Sequence, residues 1–89
     1  MVVVTPEGTP NPNAVKFTLD RPATDGRPVT FRAGSDPADS PLGHAIFQLD
    51  GVTNVFMTAD FVSVTKEPDA AWDDLLPAVI EAIEQHFGA

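Results

Sequence analysis

Residues 52–66 read VTNVFMTADFVSVTK, and this stretch decides the predicted fold. Apolar residues alternate with others in 52–57 and again in 61–66, the pattern of two half-buried β-strands. The segment between them, Thr58-Ala59-Asp60, suits the turn of a β-hairpin. The stretch therefore predicts an antiparallel pair of strands.

The alternation also predicts which side chains face the core. Four apolar residues would share the face that meets the helices: Val55, Met57, Val62 and Val64. Phe56 and Phe61 then point to the opposite, uncovered face. Two phenylalanines there form a small apolar patch, which usually indicates contact with another molecule. The alternative is that the first strand, a loop or Trp72 covers them.

Three further strands are predicted nearer the start of the chain. They occupy residues 2–5, 15–19 and 29–32. Pro6 and Gly8 are expected to end the first strand. The segment 21–28 holds two prolines and an Asp25-Gly26 turn signal, which predicts a hairpin-like loop leading into the third strand as a returning strand.

Two helices are predicted, each with one apolar stripe. Ser40-Pro41 provides an N-cap and a first-turn proline, and Asp50-Gly51 is expected to end that helix. The second helix carries Asp73 and Asp74 near its start, where the helix dipole favours negative charge. Pro77 predicts either a kink or a helix that begins just before it. The apolar stripes are Leu42, Ala45, Ile46 and Leu49 in the first helix, and Trp72, Leu75, Leu76, Val79, Ile80, Ile83 and Phe87 in the second.

These elements predict a single α+β domain over residues 1–89. The order is β-β-β-α-β-β-α, and hairpin connections imply an antiparallel sheet. Each helix has a single apolar face that must be buried, so we expect a two-layer sandwich with both helices on one face of the sheet.

The composition excludes several classes of function. Five basic and thirteen acidic residues give a net charge of −8, which disfavours nucleic acid and anionic membranes as partners. No apolar run is long enough to span a membrane, and no signal segment opens the sequence, so a cytoplasmic location is expected. The sequence contains no cysteine, which excludes disulfides, thiolate catalysis and cysteine-ligated metal.

The segment TPNPN at residues 9–13 is the first candidate for binding. Its two prolines fix their own φ angles and push the preceding residues toward extended conformations. This rigid loop would present the amides of Asn11 and Asn13 close to Lys16, so it is a candidate docking loop. The alternative is a connector whose asparagine side chains cap their own backbone.

No catalytic or metal site is predicted. His44 and His86 are too few for metal-ligand spacing, and each lies off the main stripe of its helix. Asp73 and Asp74 point in different directions around a helix, so they do not form an acid–base pair. No cofactor is expected.

Five segments in order resemble the N-terminal domain of Nfu/NifU-type iron–sulfur scaffold proteins. They are TPNPNAVKF (9–17), SPLGHAIF (40–47), DGVTNVF (50–56), DFVSVTK (60–66) and AAWDDLLPAVIEAI (70–83). The resemblance covers nearly the whole chain. It implies an α+β domain attached to iron–sulfur cluster assembly and delivery. Gly43 stands where we would expect alanine, and should weaken its short helix by up to about 1 kcal/mol.

In full-length members of that family, a separate C-terminal domain with a C-x-x-C motif holds the cluster between two subunits. This sequence has no cysteine, so the resemblance does not transfer cluster carriage to it. It implies instead a stand-alone, non-enzymatic adaptor that recognises iron–sulfur assembly proteins, among them a separate C-x-x-C scaffold.

We expect the partner-binding surface to combine residues at strand ends and loops. They are Asn11, Asn13, Lys16, Phe56, Asp60 and Phe61. Two alternatives stay open beside this adaptor, which is expected to be a monomer. One is a module that binds an anion or small molecule through Lys16 and the asparagine loop. The other is a structural domain that self-associates through Phe56 and Phe61.

Overall fold

A computed structural model describes residues 3–22, 24, 27–36 and 40–87. Its five strands are β1 (Val4–Gly8), β2 (Ala14–Leu19), β3 (Val29–Arg32), β4 (Val52–Met57) and β5 (Phe61–Lys66). Its two helices are α1 (Pro41–Phe47) and α2 (Trp72–His86). The predicted element order and the α+β class are confirmed.

The five strands form one antiparallel sheet in the order β1-β2-β5-β4-β3. The predicted β4–β5 hairpin is present, with Thr58 N–H donating to the carbonyl of Phe61. The interpretation of β3 as the returning strand of a hairpin is wrong. β3 pairs with β4 at the far edge of the sheet, and β5 lies next to β2. The Asp25-Gly26 turn signal lies outside the described residues.

The bounds of β1 also differ from the prediction. Pro6 and Gly8 lie inside this strand, opposite Phe17 and Val15 of β2, instead of ending it. β1 is an edge strand, and an edge tolerates proline because the missing N–H can lie on the unpaired side.

The core lies between one face of the sheet and the two helices. Phe17, Phe31, Val55 and Val62 are all at most 2% exposed and belong to four different strands. α1 contacts β3, β4 and α2, so the predicted helix layer on one face is confirmed. A bulge between Val52 and Asn54 shifts the register of β4, which turns Val52 inward as well.

The predicted start of α1 is confirmed in detail. The Ser40 hydroxyl accepts a hydrogen bond from Gly43 N–H at 3.0 Å, and Pro41 opens the helix. The predicted end is too late, because α1 stops at Phe47. Gly51 instead has φ of +94° in the turn before β4, a conformation that favours glycine.

α2 begins at Trp72 and continues through Pro77 to His86, so the prediction of a start just before the proline is wrong. Leu75, Val79 and Ile83 are buried and hold this helix on the core. Burial of the stripe outweighs the backbone hydrogen bond that Pro77 removes.

Candidate functional site

The sheet face opposite the helices carries three of the predicted site residues together. The rings of Phe56 and Phe61 lie 6.2 Å apart, and Lys16 Nζ lies 4.7 Å from the centre of the Phe61 ring. All three side chains are half-buried. The prediction that both phenylalanines point away from the helices is confirmed, and we call Lys16, Phe56 and Phe61 the open-face cluster.

The pairing of β2, β5 and β4 explains why these side chains meet. Lys16 lies opposite Ser63 of β5, and Ser63 lies opposite Phe56 of β4. Phe61 is two residues from Ser63 on the same strand, so it shares this face. The small serine in the central strand leaves room for the longer side chains beside it.

The cluster joins apolar area to one positive charge. The ammonium of Lys16 is held over the negative face of the Phe61 ring, an arrangement of the cation–π type. Thr18 borders the cluster, and its hydroxyl donates a hydrogen bond to the Glu7 carboxylate on β1. Aromatic rings such as those of Phe56 and Phe61 are enriched at protein-recognition surfaces.

Trp72 does not cover the open-face cluster. Its indole Nε1–H donates to the carbonyl of Pro12 at 3.0 Å, and Lys66 Nζ lies 5.9 Å from the centre of its ring. Lys66 is in register with the core residues Val62 and Val64, so it is on the helix side of the sheet. Trp72 therefore lies beside Lys66 on the helix side of the sheet, away from the open-face cluster.

Asn11 and Asn13 use their side chains within the chain itself. The Asn11 Oδ1 atom accepts from Asn13 N–H at 2.9 Å, and Thr9 Oγ1 accepts from Asn11 N–H at 3.1 Å. The Asn13 Oδ1 atom accepts from Lys66 Nζ at 3.1 Å. Asn11 therefore fits the connector interpretation, because its side chain caps local backbone. Asn13 does not, because its side chain holds Lys66 at the end of β5.

The six predicted residues therefore do not form one continuous surface. Ala14 pairs with Thr65 at one end of the β2–β5 ladder, and Thr18 pairs with Phe61 at the other. Four residues of strand separate the asparagine loop from Phe61 by about 13 Å. Asp60 is exposed in the β4–β5 turn next to Phe61. Asn11 and Asn13 lie at the opposite end, beside Lys66.

Lys66 is the residue that sequence reasoning missed. It is 7% exposed, and its ammonium donates to Asn13 Oδ1 and to the carbonyl of Glu67, both at 3.1 Å. One signal was available in the sequence. Lys66 occupies the same alternation as Val62 and Val64, where a charged residue needs partners in the core.

The titratable groups give little support for chemistry at this site. The described residues contain no group of three or more His, Cys, Asp or Glu side chains placed to hold a metal ion. The pKa of Asp20 lies below its ordinary value of 3.8, chiefly because Val3 N–H donates to its carboxylate and secondly because the Arg21 side chain does. Within the same described ranges, neither helix has the length and apolar character needed to cross a membrane.

Comparison with known proteins connects this architecture to one family. The family described as "Scaffold protein Nfu/NifU N terminal" matches residues 4–89. NifU-like protein 5, mitochondrial, of Arabidopsis thaliana is 35% identical over 83 residues, which are 93% of this chain and 30% of that protein. The human NFU1 iron-sulfur cluster scaffold homolog, mitochondrial, is 34% identical over 84 residues, or 93% and 33% of the two chains. The chain thus spans about a third of the length of these relatives.

Solved structures share the fold. The crystal structure of protein SAV1430 from Staphylococcus aureus has a TM-score of 0.78 at 31% identity and covers 90% of this chain and 96% of that one. The solution structure of a NifU-like protein from Saccharomyces cerevisiae has a TM-score of 0.83, covering 97% of this chain and 78% of that one. Its identity of 22% makes it a comparison of fold alone.

Proposed function

This chain belongs to the Nfu/NifU N-terminal family, and from that premise we propose that it acts in iron–sulfur cluster assembly or delivery by binding other proteins. The proposed binding surface is the open-face cluster of Lys16, Phe56 and Phe61. Relatives that carry the printed description of iron–sulfur cluster scaffold support the pathway. The cytoplasmic location and the monomeric state expected from the sequence belong to the same proposal.

The single observation that carries the mechanism is the packing of the partly exposed open-face cluster on the sheet face opposite the helices. The two rings already pack against each other, and Lys16 lies over the Phe61 ring, so little side-chain freedom is lost when a partner docks. Aromatic side chains dominate binding energy at protein interfaces for this reason. The open-face cluster thus has the aromatic side chains that would anchor a partner protein.

The absence of cysteine supports a role in which the ligands of the iron–sulfur cluster come from outside these 89 residues. With no thiolate in the sequence, this chain has none of the ligands that ordinarily hold an iron–sulfur cluster. The iron–sulfur cluster is then the cargo of the proteins that this domain recognises. The chain contributes recognition, and the partner contributes the ligands.

The test is affinity capture from anaerobically prepared lysate, with bound proteins identified by mass spectrometry. The bait is the parent chain beside the double variant Phe56→Thr/Phe61→Thr, in which threonine removes both rings but retains a high preference for β-strands. Val3→Thr is the matched control, because Val3 is a 58% exposed apolar residue before the edge strand β1. We expect iron–sulfur assembly proteins on the parent and on the control, and their loss from the double variant.

Two results would contradict the proposal. One is equal capture of those proteins by the parent and the double variant, provided that urea unfolding shows both to be folded. The other is the absence of iron–sulfur assembly proteins from every lane.

Self-association is the second candidate, because the same open-face cluster could meet its counterpart on a second copy. Sedimentation velocity at several protein concentrations separates the two candidates. A dimer that the Phe56→Thr/Phe61→Thr variant abolishes would favour self-association. A concentration-independent monomer would favour the adaptor.

A further inference from the structure

A groove with an apolar floor runs along α2 on the opposite side of the molecule. Its main part, of about 510 Å³, lies between α1 and α2. The floor is built from small or apolar side chains, namely Ala45, Leu49, Ala78 and Ala82. Alanines on both helices allow a third element to approach closely, because no long side chain fills the space between them.

The groove continues toward the start of α2. A second depression, of about 370 Å³, includes Asp50, Asp69 and Asp74 in its lining. The two depressions are neighbours, because Leu49 of the first is followed by Asp50 of the second and Asp74 lies one helical turn before Ala78. We call the two together the α2 groove.

The rim of the α2 groove is negatively charged. Glu81 borders the apolar floor, and its carboxylate accepts a hydrogen bond from the neutral amide of Gln85 at 3.0 Å. The segments 41–47 and 72–86, which form the two helices, contain no lysine or arginine. His86 also lines the main part of the groove, and Lys66, the buried cation of the described residues, donates instead to Asn13 and Glu67. The rim charges are therefore left for a partner to neutralise.

We propose that the α2 groove binds a cationic amphipathic helix of a partner protein. The partner's apolar stripe would lie on the alanine floor, and its lysines or arginines would meet Asp50, Asp74 and Glu81. From Asp74 to Gln85 the groove follows α2 for about 16 Å, which matches three turns of a docked helix. This inference goes beyond the proposed function, because it concerns a different face and a partner of stated charge.

The carboxylates of the groove are suited to a peptide partner and not to an ion. Among the described residues they form no constellation that could hold a metal. Spread along a groove, they instead match a ladder of positive side chains spaced by helical turns. Charge complementarity thus selects a basic segment, while the floor selects an apolar stripe.

The probe is a fluorescein-labelled peptide of three to four helical turns, with leucine on one stripe and lysine beside it. A peptide with glutamate in place of every lysine is the comparison. Fluorescence anisotropy measures binding to the parent chain at low and at high potassium chloride concentration. Amide chemical-shift mapping then locates the bound peptide. We expect binding of the lysine peptide alone, weakened by salt.

α2 offers a matched pair of variants. Asp74→Asn/Glu81→Gln removes two charges from the rim of the groove. Asp73→Asn/Glu84→Gln removes the same two residue types from positions that line neither part of it. Both variants change the net charge of the chain equally and each alters one acid in the first turn of the helix.

The rim variant should bind the lysine peptide about five- to tenfold more weakly, and the matched variant should bind like the parent. Chemical shifts should move at Ala45, Ala78 and Ala82, with the open-face cluster unmoved. Equal weakening by both variants would overturn the proposal, because it would show attraction to overall charge alone. So would shifts confined to the open sheet face, or no binding at low salt.

The proposed function and this inference fail separately. Loss of captured iron–sulfur proteins in Phe56→Thr/Phe61→Thr tests the sheet face, and the peptide experiment tests the helix face. A negative result in one experiment does not contradict the proposal that the other experiment tests.

Discussion

The ammonium group of Lys66 is buried among neutral partners. Within the described residues its acceptors are the Asn13 side chain and the Glu67 carbonyl, with the Trp72 ring on a further side. Trp72 in turn holds Pro12. These contacts fasten the asparagine loop to the end of β5 and to the start of α2, across 53 and 60 residues of sequence respectively.

Replacement of Asn13 by alanine should loosen this junction. Hydrogen bonds to charged groups contribute more than neutral ones, so Asn13→Ala should lower the free energy of unfolding by about 1.5–3 kcal/mol. Urea unfolding followed by the fluorescence of Trp72, the only tryptophan in the sequence, measures the change. Asn13→Asp is the control, since it keeps the acceptor and should hold stability at or above that of the parent. Equal losses of unfolding free energy in both variants would mean that the hydrogen bond from Lys66 to Asn13 contributes nothing to stability.

Asp20 should titrate below its ordinary pKa of 3.8 in the folded chain. The Val3 N–H and Arg21 both stabilise its ionised form. A lowered folded pKa means that this contribution to stability is present above 3.8 and is lost as pH falls through the folded value. Carboxyl NMR titration checks the midpoint, and Asp20→Asn should flatten the acid limb of the stability curve. A midpoint at or above 3.8 would contradict this.

Sequence reasoning found part of the candidate site and missed the rest for a physical reason. Alternation along β4 and β5 is local, and it placed Phe56 and Phe61 on the open face correctly. The Lys66–Asn13 and Trp72–Pro12 contacts depend on which strand lies beside which, and no local pattern encodes that. The asparagines were therefore assigned to the same surface as Phe61, although the ladder separates them.

Gly43 has a packing role that its helix propensity conceals. A Cβ atom at this position would lie 2.9 Å from Phe31 Cβ and 3.1 Å from Met57 Cε. Glycine thus lets α1 approach β3 closely. The expectation that Gly43 weakens α1 considered only helix propensity and left out the close packing of α1 on β3 that glycine allows.

Gly43→Ala should therefore destabilise the domain despite the better helix propensity of alanine. Overpacking costs about 1–3 kcal/mol and the propensity gain offsets up to about 1 kcal/mol, so we expect a net loss of about 1 kcal/mol. Urea unfolding measures it. Gly8→Ala is the matched control, because nothing lies within 4 Å of a Cβ added there and its effect should be small. A more stable Gly43→Ala variant would show that α1 shifts at no cost.

Pro77→Ala should have the opposite effect on α2. Pro77 is exposed inside the helix, so alanine restores a backbone donor without opening a cavity. We expect the free energy of unfolding to rise by about 1–3 kcal/mol, and the change is measured by urea unfolding. Glu84→Gly is the control for helix propensity, because Glu84 lines neither part of the groove, and it should destabilise α2 by about 1 kcal/mol. An unchanged or lower stability for Pro77→Ala would indicate that the ring itself makes a favourable contact.

The elements that were predicted correctly are those whose sequence signals lie within the element itself or in the turn next to it. Ser40-Pro41 marks the start of α1, and the Thr58-Ala59-Asp60 turn joins two neighbouring strands. β3 was misplaced because its partner, β4, follows a helix in sequence. The turn signal before β3 favoured the nearest strand, but the sheet pairs β2 with β5 and leaves β3 at the edge.

The two faces of the molecule differ in charge as well as in shape. On the sheet side, Lys16 lies over the Phe61 ring, and Arg32 on β3 is exposed at a position that alternates away from the core. On the helix side, α2 carries Asp73, Asp74, Glu81 and Glu84 with no lysine or arginine. Four of the thirteen acidic residues of the sequence thus lie on this one helix. Two faces of different chemistry are what an adaptor between two proteins requires.

This concentration of charge predicts that salt stabilises the fold. Two like charges about 10 Å apart in water repel by about 0.4 kcal/mol, and several such pairs on the helix face would together cost about 1 kcal/mol. Raising potassium chloride from 0.01 M to 1 M shortens the screening length from about 30 Å to about 3 Å. The free energy of unfolding in urea, which is uncharged, should therefore rise by about 1 kcal/mol.

The same change in salt should affect a neutralised chain less. In the variant Asp73→Asn/Asp74→Asn/Glu81→Gln/Glu84→Gln, most of the repulsion on α2 is gone before salt is added, so its stability should change by a smaller amount. The comparison also separates screening from the general strengthening of apolar burial by salt, which acts on both chains alike. A parent whose stability falls as salt is added would show that attractive ion pairs outweigh this repulsion. The acidic helix face would then be a stabilised surface and not one that awaits a basic partner.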